Sequence, residues 1–241
     1  MKTTGNTVFI TGGSAGIGLE IAKAFSQREN KVIINGRDKG RLYEALSQLG
    51  NAVAIQGDLS IEYDRVRIAK VLKEEHPDLN VVVNNAGEAY AYSLADGGYD
   101  HARREINTNY VSVVHFTELV MPLLHSKESG AIVNVTSIVG LVPSAVTPTY
   151  SASKAALHFY TQSLRKSLAE APVRVFELMP PLVNTAFSAA IGGAKGISPG
   201  EVAEALLSAM GEDRFDVPVG RTRCVHGAIS EAMERLQAQS A

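Results

Sequence analysis

The sequence predicts a single α/β domain, an open, doubly wound parallel sheet of about seven strands with helices on both faces, in three layers. Short β-branched runs alternate with longer helical patterns along the whole chain. Several runs are apolar almost without interruption, as parallel strands covered on both faces must be. A glycine-rich turn also joins the first run to the first helical pattern.

The strands are expected at "NTVFIT" (6–11), "KVIIN" (31–35), "NAVAIQG" (51–57), "LNVVVNN" (79–85), "GAIVNVTS" (130–137), "VRVFELM" (173–179) and "FDVPVG" (215–220). Helices fill the intervals; Ile17, Ile21 and Phe25 recur at four-residue spacing and mark an apolar face. "FSAAIGGAKGI" (187–197) breaks the rhythm, being rich in Gly and Ala with no period. The helix after it opens with "SPGE", in which Ser198 caps, Pro199 suits the first helical position and Glu201 completes a capping box. A loose loop before a firmly started helix suggests a substrate lid near 186–198, or else an ordinary surface loop.

A chain of 241 residues suits one domain, and the net charge of −2 offers no electrostatic case for nucleic acid or an anionic membrane. The single cysteine, Cys224, excludes an internal disulfide and suits a reducing compartment. "MKTTGNTVFITGG" lacks the apolar core of a signal peptide, and the longest charge-free run, Ser129 to Ser153, carries Pro143 and Pro148 and many hydroxyls. A cytoplasmic protein with no membrane span is expected. The six histidines show no metal-ligand spacing, so no metal is expected.

In "VFITGGSAGIGLEIAKAF", Gly12, Gly16 and Gly18 follow a G-x-x-x-G-x-G spacing between strand and helix. Only glycine takes positive φ or close backbone approach cheaply, and the free N–H groups of the helix favour a pyrophosphate. A dinucleotide site is therefore expected, and the lysine of a nucleoside-triphosphate loop is absent. The second strand ends in "NGRDKG", with Gly36 and Arg37 where an acid would hold the ribose hydroxyls of NAD. Arg37 can pair with a 2′-phosphate, which favours NADP(H). NAD(H) stays possible if Asp38 serves as the ribose acid rather than as a cap for the helix near Lys39.

"TYSASKAALHFY" sets Tyr150 and Lys154 four apart, on one helical face. A cation beside a phenol favours the phenolate, so the pair reads as an activated acid/base or as a solvated neighbour pair.

Together these motifs resemble the short-chain dehydrogenase/reductase family, in its compact branch of about this length, over nearly the whole chain. "TGGSAGIG" (11–18) resembles its cofactor turn, "GDLS" (57–60) its adenine-contacting acid, and "NNAG" (84–87) its strand-four signature. "INTNY" (106–110), "NVTS" (134–137) and "YSASK" (150–154) resemble its catalytic segments, with the usual thirteen-residue step from Ser137 to Tyr150.

The resemblance implies a Rossmann-type NAD(P)-binding domain and a reversible reduction of a carbonyl compound to a secondary alcohol. The catalytic set it implies is Asn109, Ser137, Tyr150 and Lys154, with Asn107 a rival for Asn109. The cofactor set is Gly12, Ser14, Gly16, Ile17, Gly18, Arg37, Asp58, Leu59, Asn85, Ala86, Gly87, Tyr150, Lys154, Pro180, Val183 and Thr185. "ELMPPLVNT" (177–185) places Pro181 where the family has glycine, which is expected to reshape the nicotinamide edge, although some family members carry a similar pair. The family also implies a homodimer or homotetramer and a small-molecule carbonyl or alcohol substrate. A catalytically silent dinucleotide-binding regulator is the alternative from another class. His158, one turn beyond Lys154, is read as a packing residue, and Tyr90 and Tyr92 as cleft lining or loop packing.

Overall fold

The computed structural model describes residues 1–240. Among them, seven strands form one parallel sheet: β1 (Thr7–Thr11), β2 (Lys31–Gly36), β3 (Ala52–Gln56), β4 (Val81–Asn84), β5 (Gly130–Val135), β6 (Val173–Met179) and β7 (Asp216–Pro218). Their spatial order is β3-β2-β1-β4-β5-β6-β7. The order reverses between β1 and β4, and the crevice outside the carboxyl ends of those two strands is where such sheets bind ligands.

β6 matches its expected run, β2 runs one residue further, to Gly36, and the other five strands fall inside theirs, shorter by one to three residues. β4 and β7 are shortened most, by three residues each; β7 is an edge strand that Pro218 cannot extend by donating a ladder hydrogen bond.

The helices are α1 (Gly16–Ser26), α2 (Lys39–Leu46), α3 (Glu62–Glu75), α4 (Tyr99–Ile106), α5 (Ser112–His125), α6 (Pro148–Ser167), α7 (Pro199–Gly211) and α8 (Thr222–Ser240). Alternation along β1 sends Val8 and Ile10 to one face, where they meet Ile21 and Phe25 of α1 and Val202, Leu206 and Met210 of α7. Phe9 goes to the other face, with Ile68 and Leu72 of α3 and Phe116, Val120 and Leu124 of α5. At about 1.5–3 kcal/mol per fully buried large side chain, these two cores supply most of the stabilisation that makes the sheet a rigid platform. Among the described residues no helix is long and apolar enough to cross a membrane.

Candidate active site

The carboxyl ends of the strands open into a cleft of about 760 Å³ running from Arg37 and Asp58 to Tyr150 and Phe187. Its floor is the glycine turn. Gly12 and Gly16 have φ of +64° and +54°, so the chain can reverse tightly between β1 and α1. Gly18 meets a different demand: a Cβ there would lie 2.4 Å from the Gly12 carbonyl oxygen. Gly12, Ser14, Gly16 and Ile17 line the cleft, whereas Gly18 is packed behind the turn. Ala15, at the N-cap of α1, brings no side-chain cap, so the helix presents uncapped N–H groups and its positive dipole end.

Asn85 ties the two central strands together. Its side-chain amide donates to the Thr11 carbonyl (2.9 Å), and the Thr11 hydroxyl accepts from the Asn85 and Ala86 backbones (2.9 and 2.8 Å). The "NNAG" segment is thereby held against the turn, with Asn85, Ala86 and Gly87 on the wall of the cleft.

At the far end, Asp38 caps α2 by accepting from the Arg41 N–H at 2.9 Å, the role weighed against ribose binding, while also lining the cleft. Asp58 accepts from the Ser60 N–H at 2.9 Å and lies 3.6 Å from the Arg37 guanidinium. Leu59 reaches both the cleft and the hydrophobic core.

The four catalytic candidates converge where β4 and β5 end. Asn109 lies in a π turn, Asn107–Val111, linking α4 to α5. Such an insertion often marks a functional site because it re-aims one side chain. Asn109 is fully buried and bridges two elements. Its Oδ1 accepts from the Glu88 N–H (2.8 Å), and its Nδ2 donates to the Glu88 carbonyl (2.8 Å) and the Ser153 hydroxyl (2.9 Å). Ser153 in turn donates to the Tyr150 carbonyl (2.7 Å). Asn107, the rival, instead donates to the Ser60 carbonyl at 3.0 Å. Ser137 starts the short turn Ile138–Gly140 by accepting from the Val139 N–H, and its hydroxyl lies near enough to the Tyr150 phenol to lower its pKa.

Electrostatics here depart from expectation. Burial pushes the Tyr150 phenol well above its ordinary value; Ser137 pulls it down, and the Glu105 carboxylate raises it further. Lys154 is 3% exposed, and desolvation lowers its ammonium from 10.5 to about 8. The Lys154 Nζ lies 5.7 Å from the Tyr150 ring centroid and donates to the Val135 carbonyl at 2.7 Å. Its hydrogen bond goes to the backbone of β5 rather than to the phenol, so desolvation dominates the phenol's titration.

The Gly/Ala-rich segment is more ordered than its composition predicts. It forms two 3₁₀ turns, Ala186–Ile191 and Gly193–Lys195, closed at the base by Asn184 N–H to Ile197 O (2.8 Å) and Ile197 N–H to Leu182 O (3.0 Å). From it Phe187 projects toward Tyr150, with ring centroids 6.0 Å apart. Thr185 and Pro180 line the cleft, but Val183 is buried beneath it in a bridge to Ile197. Pro181 is buried close to Gly220 and, unlike Pro180, does not line the cleft. Ser198 caps α7 by accepting from the Glu201 N–H at 3.1 Å.

His158 is a packing residue: it is buried, with Nδ1 2.8 Å from Glu177 Oε1 and Nε2 2.9 Å from Gln162. Glu177 holds it toward the protonated form. Tyr90 stacks on His101 (4.3 Å), and the Tyr92 hydroxyl shares a 2.6 Å hydrogen bond with Thr149. Both pack the loop rather than line this cleft.

Two contributors were not legible in the sequence: Glu88, which reaches across the cleft to Arg37, and Glu105, buried and hydrogen-bonded to the Tyr90 N–H and the Thr149 hydroxyl; Phe187 was legible only as part of the expected lid segment, not as the ring facing Tyr150. Buried carboxylates beside a predicted cleft carry no local sequence signal.

The sequence matches the family described as short chain dehydrogenase over residues 6–196. It is 37% identical over 243 residues to the uncharacterized oxidoreductase DltE of Bacillus subtilis (strain 168), covering 98% of this chain and 96% of that one. An uncharacterized oxidoreductase of Staphylococcus epidermidis is 30% identical over 212 residues, 87% of this chain and 92% of that one. A solved short chain dehydrogenase from Burkholderia cenocepacia J2315, in complex with NADP, superposes with a TM-score of 0.85 at 27% identity, over 99% of this chain and 98% of that one. A short chain dehydrogenase/reductase from Burkholderia phymatum, in complex with NAD, shares the fold at a TM-score of 0.87 and 20% identity, over 99% and 96% of the two chains. With the glycine turn, the strand-four signature, Tyr150 and Lys154 on one cleft and Ser137 beside the Tyr150 phenol, this chain belongs to the short-chain dehydrogenase/reductase family of oxidoreductases.

Proposed function

We propose that the protein is an NADP(H)-dependent oxidoreductase interconverting a carbonyl compound and a secondary alcohol, with Tyr150 as general acid/base. The observation that carries this reading is that Tyr150 and Lys154 line one end of a cleft floored by the glycine turn, with Ser137 beside the Tyr150 phenol and Asn109 tied to the Tyr150 backbone through Ser153. The residues present fit a nicotinamide dinucleotide: the uncapped N-terminus of α1 suits a pyrophosphate, and a Cβ at Gly16 would close to 3.2 Å of Thr185 across the groove. Gly12, Ser14, Gly16 and Ile17 would hold the pyrophosphate, and Arg37 with Asp58 and Leu59 the adenosine. Asn85, Ala86, Gly87, Lys154, Pro180 and Thr185 would hold the ribose and nicotinamide. When bound, the nicotinamide supplies the hydride chemistry.

Tyr150 carries its proton at neutral pH and can donate it to a carbonyl oxygen as that oxygen gains charge; burial, which raises its pKa, works against that donation, and Ser137 offsets part of it. Ser137 hydrogen-bonds the same oxygen and stabilises the developing negative charge, a contribution of about 3–4 kcal/mol in comparable sites. Lys154, still mostly charged at neutral pH, supports the phenolate that remains and holds ribose hydroxyls. Asn109 fixes the first turn of α6 through Ser153 and so orients Tyr150. Phe187 shields the phenol from water on the open side. The choice of NADP(H) rests on Gly36 and Arg37 at the end of β2, and agrees with the NADP found in the Burkholderia cenocepacia relative.

Purified protein mixed with NADPH and a panel of aldehydes and ketones, and with NADP⁺ and the matching alcohols, tests the proposal. Loss or gain of nicotinamide absorbance with at least one pair is expected. No change with any pair, in protein that binds NADPH, would replace the enzyme by a silent dinucleotide sensor.

A further inference from the structure

We propose that Glu88 sits as a built-in anion between Arg37 and Arg104, and that it competes with a 2′-phosphate for Arg37. This rests on reading the cleft as a dinucleotide site.

Arg37 follows β2 and Glu88 follows β4, and these strands flank β1. Their contact therefore spans the carboxyl end of β1, above the glycine turn. Glu88 Oε1 lies 3.2 Å from the Arg37 guanidinium. The same carboxylate meets Arg104, at 3.3 Å for Oε2 and 3.4 Å for Oε1, and accepts from the Tyr90 hydroxyl at 3.1 Å. Asn109 clamps both backbone groups of Glu88, so the carboxylate is delivered from a fixed point. The Glu88 side chain is only 12% exposed, while that of Arg37 is 63% exposed. The acid is held and the guanidinium is the movable partner.

A guanidinium binds a carboxylate and a phosphate through the same fork of donors, so the two anions are alternatives for it. A 2′-phosphate that takes Arg37 leaves Glu88 with Arg104 and Tyr90, which keep the carboxylate partnered. An adenosine ribose bearing only hydroxyls gives Arg37 no anion in exchange. Glu88 thus opposes 2′-phosphate binding twice: it occupies Arg37 beforehand, and its charge faces the phosphate afterwards. It tempers the preference that Arg37 confers.

Exposed ion pairs are worth about 0.2–1 kcal/mol, or about 1.4- to 5-fold in affinity, which sets the scale of the effect. Fluorescence titrations of NADPH and NADH with the full chain and with Glu88→Gln test it. The Kd for NADPH is expected to fall about three- to fivefold and that for NADH by less than about twofold. Arg104→Gln, which leaves Arg37 as the one cation on Glu88 among the described residues, should raise the NADPH Kd about twofold, and should do nothing in the Glu88→Gln background. An NADPH Kd that is unchanged or higher in folded Glu88→Gln, or an Arg104→Gln effect that persists without Glu88, would overturn the competition. If the unmodified protein bound neither dinucleotide, the reading of the cleft itself would fall instead.

Discussion

Lys154 should cost the protein stability at neutral pH, and replacing it should make the fold stronger while stopping the chemistry. Its ammonium is 3% exposed, and its pKa stands at about 8 against an ordinary 10.5. A difference of about 2.5 at 1.36 kcal/mol each disfavours the charged form by about 3 kcal/mol. Lys154→Met keeps the length of the side chain and removes the charge, but it orphans the Val135 carbonyl, at a cost of about 1–2 kcal/mol. The net gain at pH 7 is about 1–2 kcal/mol, or about 2–8 °C in Tm for a chain of this size.

The pH dependence of this effect has a definite sign. Between the folded value near 8 and the unfolded value of 10.5, the unfolded chain binds more protons, so unmodified protein gains stability as pH rises. From pH 7 to 9.5 it should recover about 2 kcal/mol relative to the variant. Urea denaturation of both proteins at the two pH values measures this directly. A variant less stable at pH 7, with a gap that does not change with pH, would refute the buried-ammonium reasoning.

Other perturbations give distinct results. Gly18→Ala places a methyl 2.4 Å from the Gly12 carbonyl oxygen and 2.5 Å from the Asn85 amide, so the turn must shift. Overpacking of this kind costs about 1–3 kcal/mol, so scanning fluorimetry should show a Tm lower by about 2–10 °C together with weakened NADPH binding; unchanged values of both would contradict the packing. Gly36→Asp with Arg37→Ala removes the phosphate partner and adds a ribose acid, and the nearest neighbours of the new Cβ are the movable Ser14 and Leu42 side chains. A charge-assisted bond of about 1.5–3 kcal/mol predicts a rise of about tenfold or more in the NADPH Kd, with NADH binding held or improved. A parallel change for both cofactors would count against Arg37 as the phosphate ligand.

The sheet was legible because "TVFIT", "VVVN" and "GAIVNV" are mostly apolar where two faces of helices cover them, with Thr7, Thr11, Asn84 and Asn134 the polar exceptions. The glycine turn and the Tyr150–Lys154 pair were legible because their spacing is local to one strand end or one helix, whereas Ser137 was picked out only by the resemblance of "NVTS" to the family's motif. Glu88 was not. Its reach to Arg37 exists only because β2 and β4 end on either side of β1, a fact of strand order rather than of neighbouring residues. The sign of the Tyr150 perturbation was also hidden. Spacing predicts an amine near a phenol, but it does not predict that the amine will donate to Val135 while burial outweighs its charge. Glu177 did leave a trace, as an acid inside the apolar run "VRVFELM", and its partner proved to be His158 on the neighbouring helix.

The central claim is that Tyr150 carries the proton without being needed to hold the cofactor. It is tested most directly by comparing Tyr150→Phe with the unmodified protein in two readings, NADPH fluorescence titration and turnover of whichever carbonyl the panel identifies. The account predicts an NADPH Kd within about threefold and a turnover lower by about 10²–10⁴. Equal turnover in the two proteins would contradict it.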